Sequence, residues 1–229
     1  MSENATKVLL SIDTSTKRLL LGLRFGGDRL VQSSEDSERS HGQFIIKKIG
    51  ELFQSASVQL EELEGIVVCV GPGSFTGLRI GIAAAKGIAM ALDIPIVPVS
   101  AFEIAAYCLR NLKEVVKVVV PLNREECIVG TVNKGTHDPD KIKIVKYAQL
   151  FYMVKNDAVA ALGFHLHERF PETPAKDHTE ILNYKAADLL YLGIEKILRG
   201  EIADTATLEP LYLQKSQAEI RFEQRQQDK

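Results

Sequence analysis

Gly65-Ile66-Val67-Val68-Cys69-Val70, continued by Gly71-Pro72-Gly73-Ser74-Phe75-Thr76-Gly77-Leu78-Arg79-Ile80-Gly81, decides the architecture of the chain. An unbroken apolar run is the pattern of a strand covered on both faces. The glycine-rich turn after it opens a helix from about Phe75 to Leu92, and Pro95 to Val99 reads as the next short strand. Strand, helix and strand at this spacing place helices on a sheet. Past Thr76, only Arg79 and Lys86 are polar in the helix, about 20° apart on an ideal wheel. A helix apolar on nearly all sides is buried on nearly all sides. One sheet covers one side, and a second protein is the simplest cover for the rest. Gly77, Gly81 and Gly87 each cost about 1 kcal/mol relative to alanine in a helix, so another backbone is expected to come close.

The same turn presents backbone N–H groups at a helix N-terminus, where an anion can sit. Asp13, Thr14, Gly71, Gly73, Ser74 and Thr76 are the residues that would form such a site. It fits no specific template, however. Thr76 stands where the dinucleotide fingerprint needs its third glycine, and no Gly-Lys-Ser/Thr follows. Ser74 lies between Pro72-Gly73 and Phe75-Thr76, not in Gly-x-Ser-x-Gly. A tight turn with close helix–sheet packing is the simpler reading.

Outward from this centre, Val8 to Asp13, Arg18 to Phe25 and Arg29 to Ser33 read as strands, the last two joined by Gly26-Gly27-Asp28. Gly-Gly supplies the positive φ angles of a tight hairpin, so the opening is an antiparallel three-stranded unit. His41 to Ala56 is helical by period, with Ile45, Ile46, Ile49, Leu52, Phe53 and Ala56 on one broad face and Phe44 off it. Ala101 to Leu112 reads as a helix. Val115 to Leu122, Cys127 to Val132, Ile142 to Tyr147 and Asp157 to Leu162 read as strands, with a turn at Asn133-Lys134-Gly135. His165 to His178 is expected to be a loop, Glu180 to Leu198 an amphipathic helix, and the stretch after Phe222 a polar tail.

The 229 residues are 45% hydrophobic and 25% charged, ordinary globular composition that excludes disordered and collagen-like classes. Net charge is −2, and it is even along the chain: 10 basic against 11 acidic residues to position 100, then 18 against 19. No basic domain stands out for unaided nucleic-acid binding. Cys69, Cys108 and Cys127 are odd in number and form no Cys-x-x-Cys pair, which supports neither a disulfide framework nor a zinc knuckle. No basic-then-apolar leader and no apolar run of membrane-spanning length is read, so the chain is expected to be soluble and cytoplasmic.

Ile12-Asp13-Thr14-Ser15, Ser40-His41 at a helix start, the motif Gly71 to Gly81, and Pro98-Val99-Ser100 together resemble the TsaB (YeaZ) family, with Pro210-Leu211-Tyr212-Leu213 as a weaker match near the end. The resemblance is strong over residues 8–105 and weak afterwards. It implies an α/β, actin-like and sugar-kinase-like (ASKHA) fold of two βββαβα-type subdomains with a degenerate nucleotide site. The expected division is 1–101, carrying the partner-binding helices, and 102–229. The resemblance also implies a non-catalytic subunit of the complex that transfers threonylcarbamoyl to adenosine 37 of tRNA. Such a subunit would scaffold the catalytic paralogue TsaD, engage the ATPase TsaE, and pair with itself when TsaD is absent. It would meet tRNA only through the complex, need no cofactor and touch no membrane. The paralogue holds its metal with a histidine pair on the first helix; here His41 stands alone, with Ile45 four residues on. Where the family reads Asp-Ala-Arg in the second half, this chain has Leu122-Asn123-Arg124, and Gln214-Lys215 stands where an Arg is usual.

The expected interface comprises His41, Phe44, Ile45 and Lys48 on the first helix with Gly77, Arg79, Gly81, Ala84 and Lys86 on the second, the two cations at its rim. A large charged residue at Gly81 or Ala84 is expected to abolish pairing without unfolding. The alternative is an ATPase or kinase using Asp13, but no glycine beside that acid lets a phosphate approach. A hydrolase built on His41, Ser74 and Asp13 has no nucleophile elbow to support it.

Overall fold

The computed structural model describes residues 7–36, 41–154, 157–164, 166 and 179–213. The first half forms β1 (Val8–Asp13), β2 (Arg18–Phe25), β3 (Arg29–Asp36), α1 (His41–Ala56), β4 (Leu63–Gly71), α2 (Phe75–Leu92) and β5 (Ile96–Ser100). These strands make one sheet in the order β3-β2-β1-β4-β5, antiparallel through the hairpin and parallel from β1 to β5. The hairpin turns as its glycines require, with φ of 50° at Gly26 and 89° at Gly27.

The second half begins with α3 (Ala101–Cys108), which ends four residues short of the expected Leu112. It continues through β6 (Val115–Pro121), β7 (Glu126–Asn133), β8 (Thr136–His137), β9 (Lys143–Lys146), α4 (Tyr147–Met153), β10 (Ala158–Leu162), β11 (Thr179–Leu182) and α5 (Ala186–Leu198). Its sheet runs β11-β10-β6-β7-β8, with β9 also on β7. Reversed, that order repeats the first sheet: β6 and β7 antiparallel, then β10 and β11 parallel beyond β6. The turn at Asn133-Lys134-Gly135 closes β7 onto β8, with positive φ at Lys134 and Gly135.

Two elements differ from the sequence reading. Tyr147, expected to end a strand, opens α4. The expected helix from Glu180 divides: residues 179–182 pair as a strand with β10, and the helix starts only at Ala186. Lys185 donates its N–H to Asp188 Oδ2 at 2.7 Å, which fixes that start. The loop expected at His165 to His178 lies outside the described residues except for residue 166, and the polar tail after Phe222 lies outside them too.

The layers follow from which face each strand buries. Leu10, Ile12, Leu21, Leu23, Ile66 and Val68 face α1 and α2. On the other face Leu20, Val67, Cys69, Val97 and Val99 share a core with α3, with Leu189 and Leu192 of α5, and with Val118, Val120 and Ile128 of the second sheet. Helices α3 and α5 are thus packed between the sheets, and α4 covers the far face of the second. The division expected at 101/102 falls just inside α3, and α5 returns from the second half to the first sheet: a Cβ at Gly193 would lie 2.3 Å from Val67.

Helix α2 corrects the expectation that no apolar run reaches membrane length, since its 18 residues suffice by length and composition. It lies instead on the first sheet, with Gly77, Leu78, Gly81, Ile82, Ala85 and Ala89 buried.

Candidate functional site: a closed acid and an open helix pair

β1 delivers Asp13 to the end of the first sheet, where it is 0% exposed. Both its oxygens are taken by the chain itself. Oδ1 accepts the Ser15 N–H at 2.7 Å, and Oδ2 accepts the hydroxyl of Tyr184, with Ser15 Oγ 3.4 Å from that hydroxyl. Burial, and then the Asp13 charge, push the Tyr184 phenol and the Cys69 thiol well above their ordinary values. The phenol therefore remains a donor to the carboxylate.

The glycine turn closes over the same place. Ser74 N–H donates to Ser15 O at 2.6 Å, Ser74 Oγ accepts the Gly77 N–H at 3.2 Å, and Thr14 Oγ1 donates to Gly77 O at 2.7 Å. A Cβ would lie 2.4 Å from Ser15 O at Gly73, 2.0 Å from Thr14 O at Gly77 and 2.2 Å from Thr14 Oγ1 at Gly81. Gly71, with φ of 106°, precedes a cis peptide bond to Pro72. Of the six residues read as an anion or turn site, Asp13, Thr14, Gly71, Gly73 and Ser74 thus form a turn in which the Ser74 and Gly77 N–H groups are taken by the chain itself, while Thr76 is exposed beside it.

This corrects two interface residues. Gly77 and Gly81 do allow close approach, but to the β1–β2 turn of their own chain. A third correction is Ile45, only 3% exposed in the core under α1. The core stripe of α1 runs Ile45, Ile49, Leu52 and Phe53, which turns Ile46 outward. Ala84 is half-buried against the same core. Lys48 pairs with Glu35 at 2.6 Å and Glu51 at 3.1 Å. The side chain of His41 lies outside the described residues.

What faces outward on the helix pair is Phe44, Ile46 and Met90, at 49%, 61% and 69% exposure. Gly50 and Gly87 are exposed on the same two helices, and a Cβ at either meets nothing within 4 Å. Arg79 and Lys86 are held by the chain's own C-terminal stretch. Arg79 Nε donates to the Tyr212 hydroxyl at 2.8 Å, and Lys86 Nζ donates to Ala206 O at 2.9 Å and Leu208 O at 3.2 Å.

In the second half, the position of the missing family acid is Leu122. The neighbouring Asn123 holds the turn by accepting the Glu125 and Glu126 N–H groups, each at 2.8 Å, on Oδ1. His137 lies against the Phe102 ring at 6.2 Å, and burial lowers its pKa. Among the described residues no group of three or more His, Cys, Asp or Glu is placed to hold a metal ion.

Two sheets of matching strand order, with helices packed between them and an acid at the end of the first strand, define the actin-like class of α/β proteins. Over 91% of this chain and all of that one, the molecule superimposes on YeaZ from Pseudomonas aeruginosa with a TM-score of 0.72 at 27% identity. Bacillus subtilis "tRNA threonylcarbamoyladenosine biosynthesis protein TsaB" is 28% identical over 93% of this chain and 97% of its own length. The Haemophilus influenzae protein of the same name is 32% identical over 55% of this chain, a match spanning 48% of that protein. A family model for TsaD, tRNA N6-adenosine threonylcarbamoyltransferase, matches residues 33–122. These likenesses, one of them along nearly the whole chain, support the TsaB (YeaZ) family for this protein.

Proposed function

We propose that the chain is a non-catalytic subunit of the cytoplasmic assembly that makes threonylcarbamoyladenosine at position 37 of tRNA. It pairs with TsaD through the outer face of α1 and α2, engages TsaE, meets tRNA through the complex, and pairs with itself when TsaD is absent. The observation that carries this reading is the outer face itself. Two glycines interior to helices, Gly50 and Gly87, each cost about 1 kcal/mol relative to alanine, and among the described residues neither has a neighbour that needs the space. Beside them Ile46 and Met90 are left in water. Small residues flanked by exposed apolar side chains suit close packing of a second protein. The full use of both Asp13 oxygens by Tyr184 and Ser15 supports the non-catalytic part, because a nucleotide-bound metal needs such an acid open to it.

The experiment is reconstitution: the chain, cognate TsaD, the adenylate-forming enzyme, TsaE, ATP, threonine, bicarbonate and unmodified tRNA, with the nucleoside quantified by mass spectrometry. Modification is expected to require the chain and to be lost with Met90→Lys in a folded subunit. Undiminished modification without the chain overturns the subunit role.

A further inference from the structure

Arg79 and Lys86, the two polar side chains of α2 beyond its first turn, are both engaged by residues 202–213, which run back from α5 over the first half. This strap is tied at several points. Ala203 N–H donates to Ile96 O at the start of β5 at 2.9 Å, and Leu211 N–H donates to Val70 O at the end of β4 at 2.8 Å. Between them Leu208 packs into the core beneath α1 and α2, while Lys86 ties the turn before it. At the far end the Tyr212 ring stacks on Phe75 with centroids 4.7 Å apart, and the Arg79 guanidinium lies 3.9 Å above the same Phe75 ring. Arg79 also donates to the Tyr212 hydroxyl, so the three side chains form one aromatic–cation cluster across the first two turns of α2.

We infer that the strap is a positioning device, in which Tyr212, Phe75 and Arg79 clamp the first turns of α2 and so hold the outer face of α1 and α2 in the form a partner docks on. The inference rests on the reading of that face given above. The first turns of α2 are where the helix is seated on the sheet, through the Ser74 cap and the close packing of Gly77 and Gly81 on Thr14, so a clamp there sets the position of the whole helix. The clamp bears on that end, eight residues or more N-terminal of Gly87 and Met90 along the helix, about 12 Å at 1.5 Å per residue, so Tyr212 acts on that part of the docking face from a distance.

The test uses the full chain with cognate TsaD and compares Tyr212→Ala, Tyr212→Phe and Arg79→Leu with Met90→Lys. Amide exchange over residues 76–82 and calorimetric titration with TsaD are the two readouts, each on variants that retain the parent circular dichroism. Tyr212→Ala and Arg79→Leu are expected to speed exchange in that stretch and weaken TsaD binding about tenfold. Tyr212→Phe, which keeps the ring on Phe75, restores most of the binding. Met90→Lys abolishes binding and leaves exchange at 76–82 unchanged. Parent exchange rates in both Tyr212→Ala and Arg79→Leu overturn the clamp, as does faster exchange with undiminished binding. Undiminished binding by Met90→Lys overturns the docking face instead, and the positioning role with it.

Discussion

Tyr184 donates to Asp13 from a position that is 3% exposed, in the place where an actin-like catalyst would need an open acid. Removing that donor leaves a buried carboxylate oxygen short of a partner. Tyr184→Phe is therefore expected to cost about 1–3 kcal/mol, read as a lower midpoint of urea unfolding. The glycines of α2 give a sharper comparison, because one substitution has opposite signs at two positions of one helix. Gly77→Ala drives a Cβ to 2.0 Å from Thr14 O and is expected to destabilise by about 1–3 kcal/mol. Gly87→Ala meets no described atom within 4 Å and should stabilise the isolated subunit by about 1 kcal/mol while weakening the proposed pairing with TsaD. Thermal unfolding of the two variants side by side checks both. The same geometry withdraws Gly81 as a probe of pairing: a large charged side chain there strikes Thr14 and perturbs the fold itself.

Among elements, the junction of β5, α3 and α5 is held by charge. Ser100 and Glu103 cap α3 reciprocally, with Glu103 Oε2 accepting the Ser100 N–H at 2.6 Å and Ser100 Oγ accepting the Glu103 N–H at 3.1 Å. The other Glu103 oxygen pairs with Lys196 of α5, which also meets Glu201 at 3.0 Å. Lys196→Met should cost about 1–2 kcal/mol, between a surface pair and a buried one, with the loss visible in the denaturant midpoint. Strong local periodicity made β1, the Gly26-Gly27 hairpin, α1, β4 and α2 legible in the sequence. Strand β11 was not, because Ile181 and Leu182 also suit the apolar stripe of the helix that follows; what ends that stripe is a non-local ladder to β10. The partners of Arg79 and Lys86 were equally illegible. They lie 133 and 120 residues away, and no local pattern carries that information. The apolar pattern of α2 assigns its glycines to a partner, whereas Thr14 of the same chain fills the space at Gly77 and Gly81.

For the molecule as a whole, alkaline pH is the informative stress. The Tyr184 phenol is pushed up by burial and by Asp13. For Lys196, burial works downward, but Glu103 and Glu201 outweigh it and its pKa is raised. Both groups hold their protons more tightly when folded than unfolded. Their contribution is therefore complete below the unfolded values near 10 and is lost as pH rises through the higher folded values. Stability measured by chemical unfolding is expected to fall above about pH 10, and less steeply in Tyr184→Phe. Stability constant across that range would show that neither group is perturbed.

The return of α5 to the first sheet also governs how the chain can be made. Ser11 Oγ donates to Ala186 O across 175 residues, and a Cβ on Gly22 would strike Ala186 and Leu190. When the ribosome has finished residues 1–101, the face carrying Val67, Cys69, Val97 and Val99 has only the coming α3 to cover part of it, and the share covered by Leu189 and Leu192 of α5 arrives about ninety residues later. Contacts so distant along the chain are slow to form. The nascent N-terminal half must wait with part of an apolar sheet face bare, at the stage when a chaperone would have most to hold.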